Sequence, residues 1–290
     1  MNHQGFEHTD VGASDVETWF RPRFDFAFPM HLHQAREHAS LLASRYFVLC
    51  TNRQGGVSKG EFESMNLGRS QGDDLQAVCQ NRQRLESLLP WPSRYMRLCH
   101  GHACIRIDPG AKDSELAEAD AVLLCDRGVS VVMLTGDCLP IVLVDDEGHA
   151  MCMIHAGWRG LAGGVIETAV TAMRKVIASH ASMIAWIGPC IGASAFEVGE
   201  DVLQAFTPAE RSHQYFRKRL REARNDRRDH SHHDQRWMGN LLALARRRLR
   251  ICGVGAIGGG LWCTWHDQQR YFSHRRQSGG GRFATVIAML

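Results

Sequence analysis

No stretch of this chain approaches the roughly 18 consecutive apolar residues that a bilayer span requires, so a membrane helix is not expected. The N-terminus, MNHQGFEHTDVGASD, lacks the basic-then-apolar order of a secretory leader, and a cytoplasmic location is the expectation. A strong charge of one sign is also missing: the formal net charge of +3 is too small to argue for nucleic acid as a partner. The ten cysteines lack the dense spacing of a small disulfide scaffold and fall mostly in apolar runs such as VLC and MCMIH, so reduced core residues are expected. No repeat and no linker divides the chain. Residues 1–17 read as a flexible tail and 18–290 as one domain, with a monomer or weak homo-oligomer expected.

With 290 residues and 44% hydrophobic composition, the chain can bury a sizeable core. MHLHQAREHASLLA resembles a short helix before a first strong strand, RYFVLC at 45–50. A helix is expected over 73–89, acidic at its start and ending before Pro90. Strands are expected around 95–107, 121–125, 130–135, 141–145 and 150–155, then a helix over 161–178 with one apolar face. AWIGPCIG at 185–192 reads as a strand into a turn, helices fill much of 200–250, and strands near 254–264 and 283–289 close the chain. Hairpins mixed with helices argue for a single-domain α/β (α+β) fold of α/β layers with mixed or antiparallel sheets, rather than a doubly wound nucleotide fold. The basic runs at 217–230 and 246–250 read as solvated helix surface, and the SHHD cluster at 231–234 lacks an apolar frame to fix a metal.

The most informative segment is GDCLPIVLVDDEGHAMCMIHAGWRG, whose apolar runs read as the arms of a β-hairpin. A turn centred between Asp146 and Glu147 would set Cys138 directly opposite His155 on one face. Opposed residues have Cβ atoms about 4.5–5.5 Å apart, near enough to share a zinc ion or to form a Cys–His nucleophile pair. Pro140 threatens the ladder of that hairpin. Asp137 reads either as a turn residue capping a local N–H or as a carboxylate that orients a metal-bound imidazole or moves a proton. Gly157 and Gly160 flank Trp158 and Arg159 just before a helix, where backbone N–H groups and the guanidinium suit a phosphate or carboxylate. A tight turn with Trp158 as packing anchor explains the same residues.

These blocks, in order, are TNRQGGVSKGEFESMNLG, CHG at 99–101, ADAVLLCDRGVSVVMLTGDCLPIVLVDD, HAGWRGLAGGV, WIGPCIGASAFEVG and YFSHRRQSGGGRFATVIAML. Together they resemble the multicopper polyphenol oxidase or laccase-domain family, also described as the YfiH-like purine nucleoside phosphorylase family. The resemblance implies a layered α/β/β/α sandwich with mixed sheets and a metal held by His100, Cys138 and His155. Such a Cys-His-His set leaves a fourth tetrahedral position open, the arrangement of a catalytic zinc, one per chain, with copper as a possible substitute. The chain has Leu98-Cys99 where the family has Gln-Val, and His102 is a rival ligand, since His100 and His102 on a strand would face the same side. The resemblance also brings the loop of Arg53, Ser58, Asn66 and Gly68 near the pocket, where Arg53 and Asn66 suit phosphate and ribose hydroxyls. Ser273, Arg275 and Arg276 lie in a family-like block where salt-bridging to the core is an alternative, and Cys263 and His266 read as structural.

Three activities compete. The leading expectation is a zinc-dependent purine nucleoside phosphorylase acting on adenosine, inosine and 5′-methylthioadenosine, with adenosine deamination besides, so that its partners are a purine nucleoside and phosphate. A copper polyphenol oxidase is disfavoured by the single three-ligand cluster. A Cys–His hydrolase of peptidoglycan precursors would use Cys138 as nucleophile, which zinc binding forbids. A purely structural zinc would need a fourth protein ligand, such as His102 or Cys99.

Overall fold

Alternation along the central strands sets the architecture, seen in a computed structural model that describes residues 9–10, 19–21, 42–108, 115–219 and 235–290. In chain order the elements begin with β1 (Thr9–Asp10), β2 (Phe20–Arg21), β3 (Tyr46–Cys50), α1 (Leu75–Glu86), β4 (Ser93–Arg97), β5 (Cys104–Arg106), β6 (Glu115–Glu118) and β7 (Ala121–Leu124). They continue with β8 (Ser130–Thr135), β9 (Leu139–Asp145), β10 (Met151–Ala156), α2 (Trp158–Gly163), α3 (Val165–Arg174) and β11 (Met183–Ile187). The last are β12 (Glu197–Val198), α4 (Glu200–Gln204), β13 (Phe216–Lys218), β14 (Trp237–Gly239), α5 (Leu241–Ile251), β15 (Ala256–Gly259) and β16 (Phe283–Met289).

Two mixed sheets lie face to face, one of seven strands in the order β1-β2-β3-β16-β8-β4-β6 and one of six in the order β15-β11-β9-β10-β7-β5. A three-stranded sheet, β12-β14-β13, stands apart. Leu139, Ile141 and Leu143 of β9, with Cys152, Ile154 and Ala156 of β10, pack with residues of α3 and α5. The intervening Val142, Val144, Met151 and Met153 meet Phe283 and Ile287 of β16 between the sheets. On the far side of β16, Ala284, Val286 and Ala288 pack with Leu85 of α1. The expected α/β/β/α layering is therefore present. It exists because nearly every position of the central strands β3, β8, β9, β10, β11 and β16 is buried, so each sheet has two faces to cover.

Several boundaries differ from expectation for local reasons. The helix expected over 161–178 starts earlier, at Trp158, and breaks at Gly164, whose φ of 94° ends α2 and redirects the chain into α3. The 73–89 helix is α1, with the Asp74 carboxylate accepting the Gln76 N–H at 3.0 Å. Of the helices expected over 200–250, α4 and α5 form, but β13 and β14 pair as strands. Within the expected tail, Thr9–Asp10 pairs antiparallel with Phe20–Arg21. The SHHD cluster and most of the 217–230 run lie outside the described residues, as do His31, His33 and His38.

The arginines of α5 are not all solvated surface. Arg246 donates to the carbonyls of Ile257 and Gly259, and Arg248 makes a two-pronged pair with Glu210 at 2.8 and 3.0 Å and reaches Glu167 at 3.1 Å. The Arg248 and Glu210 side chains are 9% and 5% exposed, so breaking one partner leaves a buried, uncompensated charge. Arg248→Met should cost about 3–5 kcal/mol in urea denaturation. Burial would raise the Glu210 pKa, but Arg248 overrides it and holds the carboxyl low. The pair's contribution is thus present above the unfolded carboxylate pKa and is lost as pH falls through the folded value, so the variant's deficit should shrink in acid.

Candidate metal centre

The hairpin forms, but its register differs by two residues from the expected one. His155 faces Pro140 and Ala156 faces Leu139, so paired numbers sum to 295 rather than 293. The cause lies in the turn. The Asp145 carboxylate collects the N–H groups of Glu147, His149 and Ala150, and Gly148 takes a φ of 87°, which moves the turn's centre one residue along. A shift of two preserves side-chain parity. His155 therefore shares the inter-sheet face with Met151 and Met153, and Cys138, one residue before β9, still meets it, although not directly opposite. Pro140 is tolerated at the strand's entry, where its carbonyl accepts the Gly188 N–H at 2.8 Å.

His100 comes from the loop joining β4 to β5, not from a strand. Its φ is 59°, a left-handed conformation uncommon for a side chain of this size, so the expectation that His100 and His102 face one side of a strand is corrected. Asp120, fully buried just before β7, holds the loop in that shape. Its carboxylate accepts the N–H groups of Cys99 (3.3 Å), His100 (3.0 Å) and Gly101 (2.7 Å), and the Cys99 thiol at 3.0 Å. The same carboxylate takes the Nδ1–H of His155 at 2.7 Å, while the Asp120 carbonyl accepts the His155 backbone N–H at 2.7 Å. With Nδ1 committed, His155 presents Nε2 as its ligand atom. Sequence reasoning missed Asp120; the available signal was an acid immediately before the apolar run AVLL.

The ligand atoms of His100, Cys138 and His155 lie within 4.8 Å of one another, and the two imidazoles stand edge to face with centroids 4.9 Å apart. His102 does not join them; it is exposed and lies against Gly163. Cys99 is spent on Asp120. Among the described residues the cluster thus offers three donors, the set that fits an open rather than a closed zinc-type site.

Two glycines of HAGWRG make room for it. A Cβ on Gly157 would stand 3.0 Å from both Cys138 Sγ and His100 Cδ2, and one on Gly160 would stand 2.6 Å from the Gly101 carbonyl. Gly157→Ala should therefore splay the three ligands and weaken metal binding by roughly 10- to 100-fold while the core folds. Metal titration of the refolded variant beside its thermal midpoint checks this; unchanged affinity would contradict the geometry.

Burial would push the Cys138 thiol up, but His155 and His100 overrule it and bring its pKa to about 6. Burial likewise opposes charge on His155, yet Cys138 and Asp120 raise its pKa to about 9. Asp120 would also be raised by burial, and its bonds from His155, Cys99 and Gly101 hold it well below the usual carboxylate range. Without metal the pair is a thiolate facing an imidazolium over a buried carboxylate. A cation that takes the thiolate and displaces the imidazolium proton relieves the charge the fold has concentrated there.

A family model described as "Multi-copper polyphenol oxidoreductase laccase" matches residues 47–290. The chain belongs to this family. Among curated relatives, a purine nucleoside phosphorylase of Pseudomonas aeruginosa is 38% identical over 244 residues, covering 84% of this chain and 93% of the relative. Purine nucleoside phosphorylase YfiH of Escherichia coli is 32% identical, covering 83% and 92%. The crystal structure of a Neisseria meningitidis protein superposes with a TM-score of 0.72 at 36% identity, covering 84% of this chain and 94% of that one.

Other residues expected to line the pocket of this laccase-like protein are placed differently. The Asp137 oxygens accept Thr264 Oγ1 and the Arg275 N–H, each at 2.6 Å, tying the C-terminal loops to the Cys138 segment; the imidazole-orienting carboxylate is Asp120. Asn66 is fully buried and saturated: it donates to Gly68 O and Asp73 Oδ2 and accepts the N–H groups of Gly68 and Arg282. It therefore stabilises the loop and has no group left for a ribose hydroxyl. Arg53 donates to the carbonyls of Glu63 and Gln268 and lies over Phe272. Arg159 is exposed and stacks on Trp158 at 4.3 Å. Arg276 is tied to the carbonyls of Thr264, Trp265 and Tyr271, and Arg275 to that of Glu197. Cys263 accepts the Gly192 N–H, and His266 Nε2 bonds Ser194, in keeping with structural roles. Among the described residues, no helix is long and apolar enough to cross a membrane.

Proposed function

We propose that this protein is a zinc-dependent purine nucleoside phosphorylase that converts adenosine, inosine or 5′-methylthioadenosine and phosphate into the free base and ribose 1-phosphate. The observation that carries the reading is the three-donor cluster braced by Asp120, in a chain whose relatives at 32–38% identity bear that name. In the reaction a phosphate oxygen bonds to C1′ as the bond from C1′ to the purine nitrogen breaks, and the departing base takes up a proton. Zinc held by His100, Cys138 and His155 would supply Lewis acidity at an open fourth position, which also suits deamination of adenosine by water. The chain's own part is preorganisation. Asp120 fixes the His155 tautomer and the His100 loop, and Gly157 leaves room for the cluster, so the donors are held in place before a metal or substrate arrives.

The test is incubation of zinc-loaded protein with adenosine and phosphate, following adenine, ribose 1-phosphate and inosine in parallel. Adenine and ribose 1-phosphate are expected, with inosine as a second product and ribose 1-phosphate matching the sum of adenine and hypoxanthine. Absence of all three under zinc-replete conditions overturns the reading.

One observation favours a second reading, Cys138 as nucleophile with His155 as base: the thiol lies against both imidazoles, which bring its pKa down to about 6. Chelation separates the two. A zinc enzyme loses activity with its metal and regains it on zinc addition; a cysteine enzyme stays active in chelator and is killed by iodoacetamide.

A further inference from the structure

Phosphorolysis needs a cation for inorganic phosphate, and the arginines singled out from sequence are mostly spent elsewhere: Arg53, Arg275 and Arg276 on backbone carbonyls, Arg159 on Trp158. Arg282, at the entry to β16, is different. Its Nη1 donates to the carbonyls of Gly280 and Gly281, which immobilises the guanidinium. Among the described residues, neither Nε nor Nη2 donates to a protein acceptor. The side chain crosses two glycines: a Cβ on Gly136 would stand 3.6 Å from its Cδ and Nη1, and one on Gly68 would stand 3.2 Å from its Cγ. Gly136 opens the Gly136-Asp137-Cys138 segment, so the guanidinium lies against the strand entry that delivers the cysteine ligand. Asp137 and Cys138 are the anions near enough to act on it, yet the Asp137 oxygens are taken by Thr264 and Arg275.

A second observation sits across the same glycine. Gln71 Oε1 is buried without a hydrogen-bond partner, and its side chain lies over Gly68 beside Arg282. An orphaned acceptor beside the stem of an arginine whose guanidinium is half engaged is complementary to an oxyanion that also carries a hydroxyl. Protonated phosphate has both.

We propose that Arg282 binds the inorganic phosphate substrate beside the metal cluster, with Gln71 Oε1 accepting its P–OH. This assignment rests on the phosphorylase reading. A phosphate here is held by a fork fixed in advance through Nη1, with Nε and Nη2 left to grip its oxygens. The proposal is tested with Arg282→Gln, Arg282→Lys and Gln71→Met in zinc-loaded protein, measuring KM for phosphate and for nucleoside separately, with zinc content and thermal midpoint alongside. Arg282→Gln should raise the phosphate KM by roughly 10- to 100-fold, the lysine variant less and Gln71→Met by about threefold, with nucleoside KM and zinc content retained. An unchanged phosphate KM in all three overturns the proposal, as does a rise in nucleoside KM of the same size, which is what a merely structural arginine would give. Should Arg282→Gln fail to fold, the lysine and Gln71 variants decide in the same way. If the wild type shows no phosphorolysis, the function above fails first, and calorimetric titration with inorganic phosphate still decides this site: binding by wild type that weakens in Arg282→Lys supports it, and equal binding refutes it.

Discussion

Cys138→Ala should purify with essentially no bound zinc, where the wild type holds about one ion per chain, and its phosphorolysis should fall by about a thousandfold or more. Two consequences of one substitution combine. The cluster loses its only anionic donor, leaving two imidazoles that bind a divalent ion far more weakly than a thiolate with two imidazoles. His155 also loses the largest influence raising its pKa, since the Cys138 thiolate is the main group acting against its burial. The pH dependence follows from the same pair. The depressed Cys138 pKa, about 6, means that the thiolate is present above that pH and protonated as pH falls through it. The raised His155 pKa, about 9, means that the metal-free site still carries the imidazolium proton at neutral pH. Zinc binding near pH 7.5 should therefore release about one proton, and affinity should weaken steeply below pH 6 as protons compete for sulfur. Calorimetry in buffers of differing ionisation enthalpy measures the release. Zinc retained at wild-type level in the alanine variant would remove Cys138 from the ligand set.

The parts of this site that are legible in the sequence are those carried by period and by block. Continuous apolar runs placed β8, β9, β10 and β16, and in the structure nearly every position of these strands is buried. Parity placed Cys138 and His155 on one face even though the register was off by two, because side-chain direction depends only on whether the offset is even. The turn escaped because its centre is set by one carboxylate, Asp145, gathering three N–H groups, an arrangement invisible to a pattern of apolar residues. His100 emerged through resemblance rather than periodicity, since a left-handed backbone at a histidine has no propensity signature. Asn66 looked like a ligand-binding amide because polar residues on glycine-rich loops usually face solvent; here the loop folds inward and consumes it. Arg248 looked like one more surface cation, and only its meeting with Glu210, 38 positions away, shows that it is buried.

Asp120 is the residue whose loss should be felt most widely. Its carboxylate joins two segments that are far apart in sequence: the Cys99-His100-Gly101 loop, thiol included, and the His155 ring. Asp120→Asn keeps the size but replaces one acceptor oxygen by an NH2 group. One oxygen receives Cys99 and Gly101 and the other receives His100 and His155, so either orientation sets N–H against N–H. With the group fully buried, the expected destabilisation is about 3–5 kcal/mol, and Asp120→Ala should be at least as severe. Any folded fraction should bind zinc roughly 10- to 100-fold more weakly, because His155 loses the acceptor that selects its tautomer. Acid supplies an internal control. The wild-type carboxyl is held low by its donors, so its contribution is present above the unfolded carboxylate pKa and fades as pH falls toward the folded value. The stability gap between wild type and Asp120→Asn should therefore be widest near neutrality and narrow in acid. Urea denaturation of the metal-free proteins across that range reads it directly; a gap that does not change with pH would mean that Asp120 acts by shape alone and that its charge has no part in holding the two histidines.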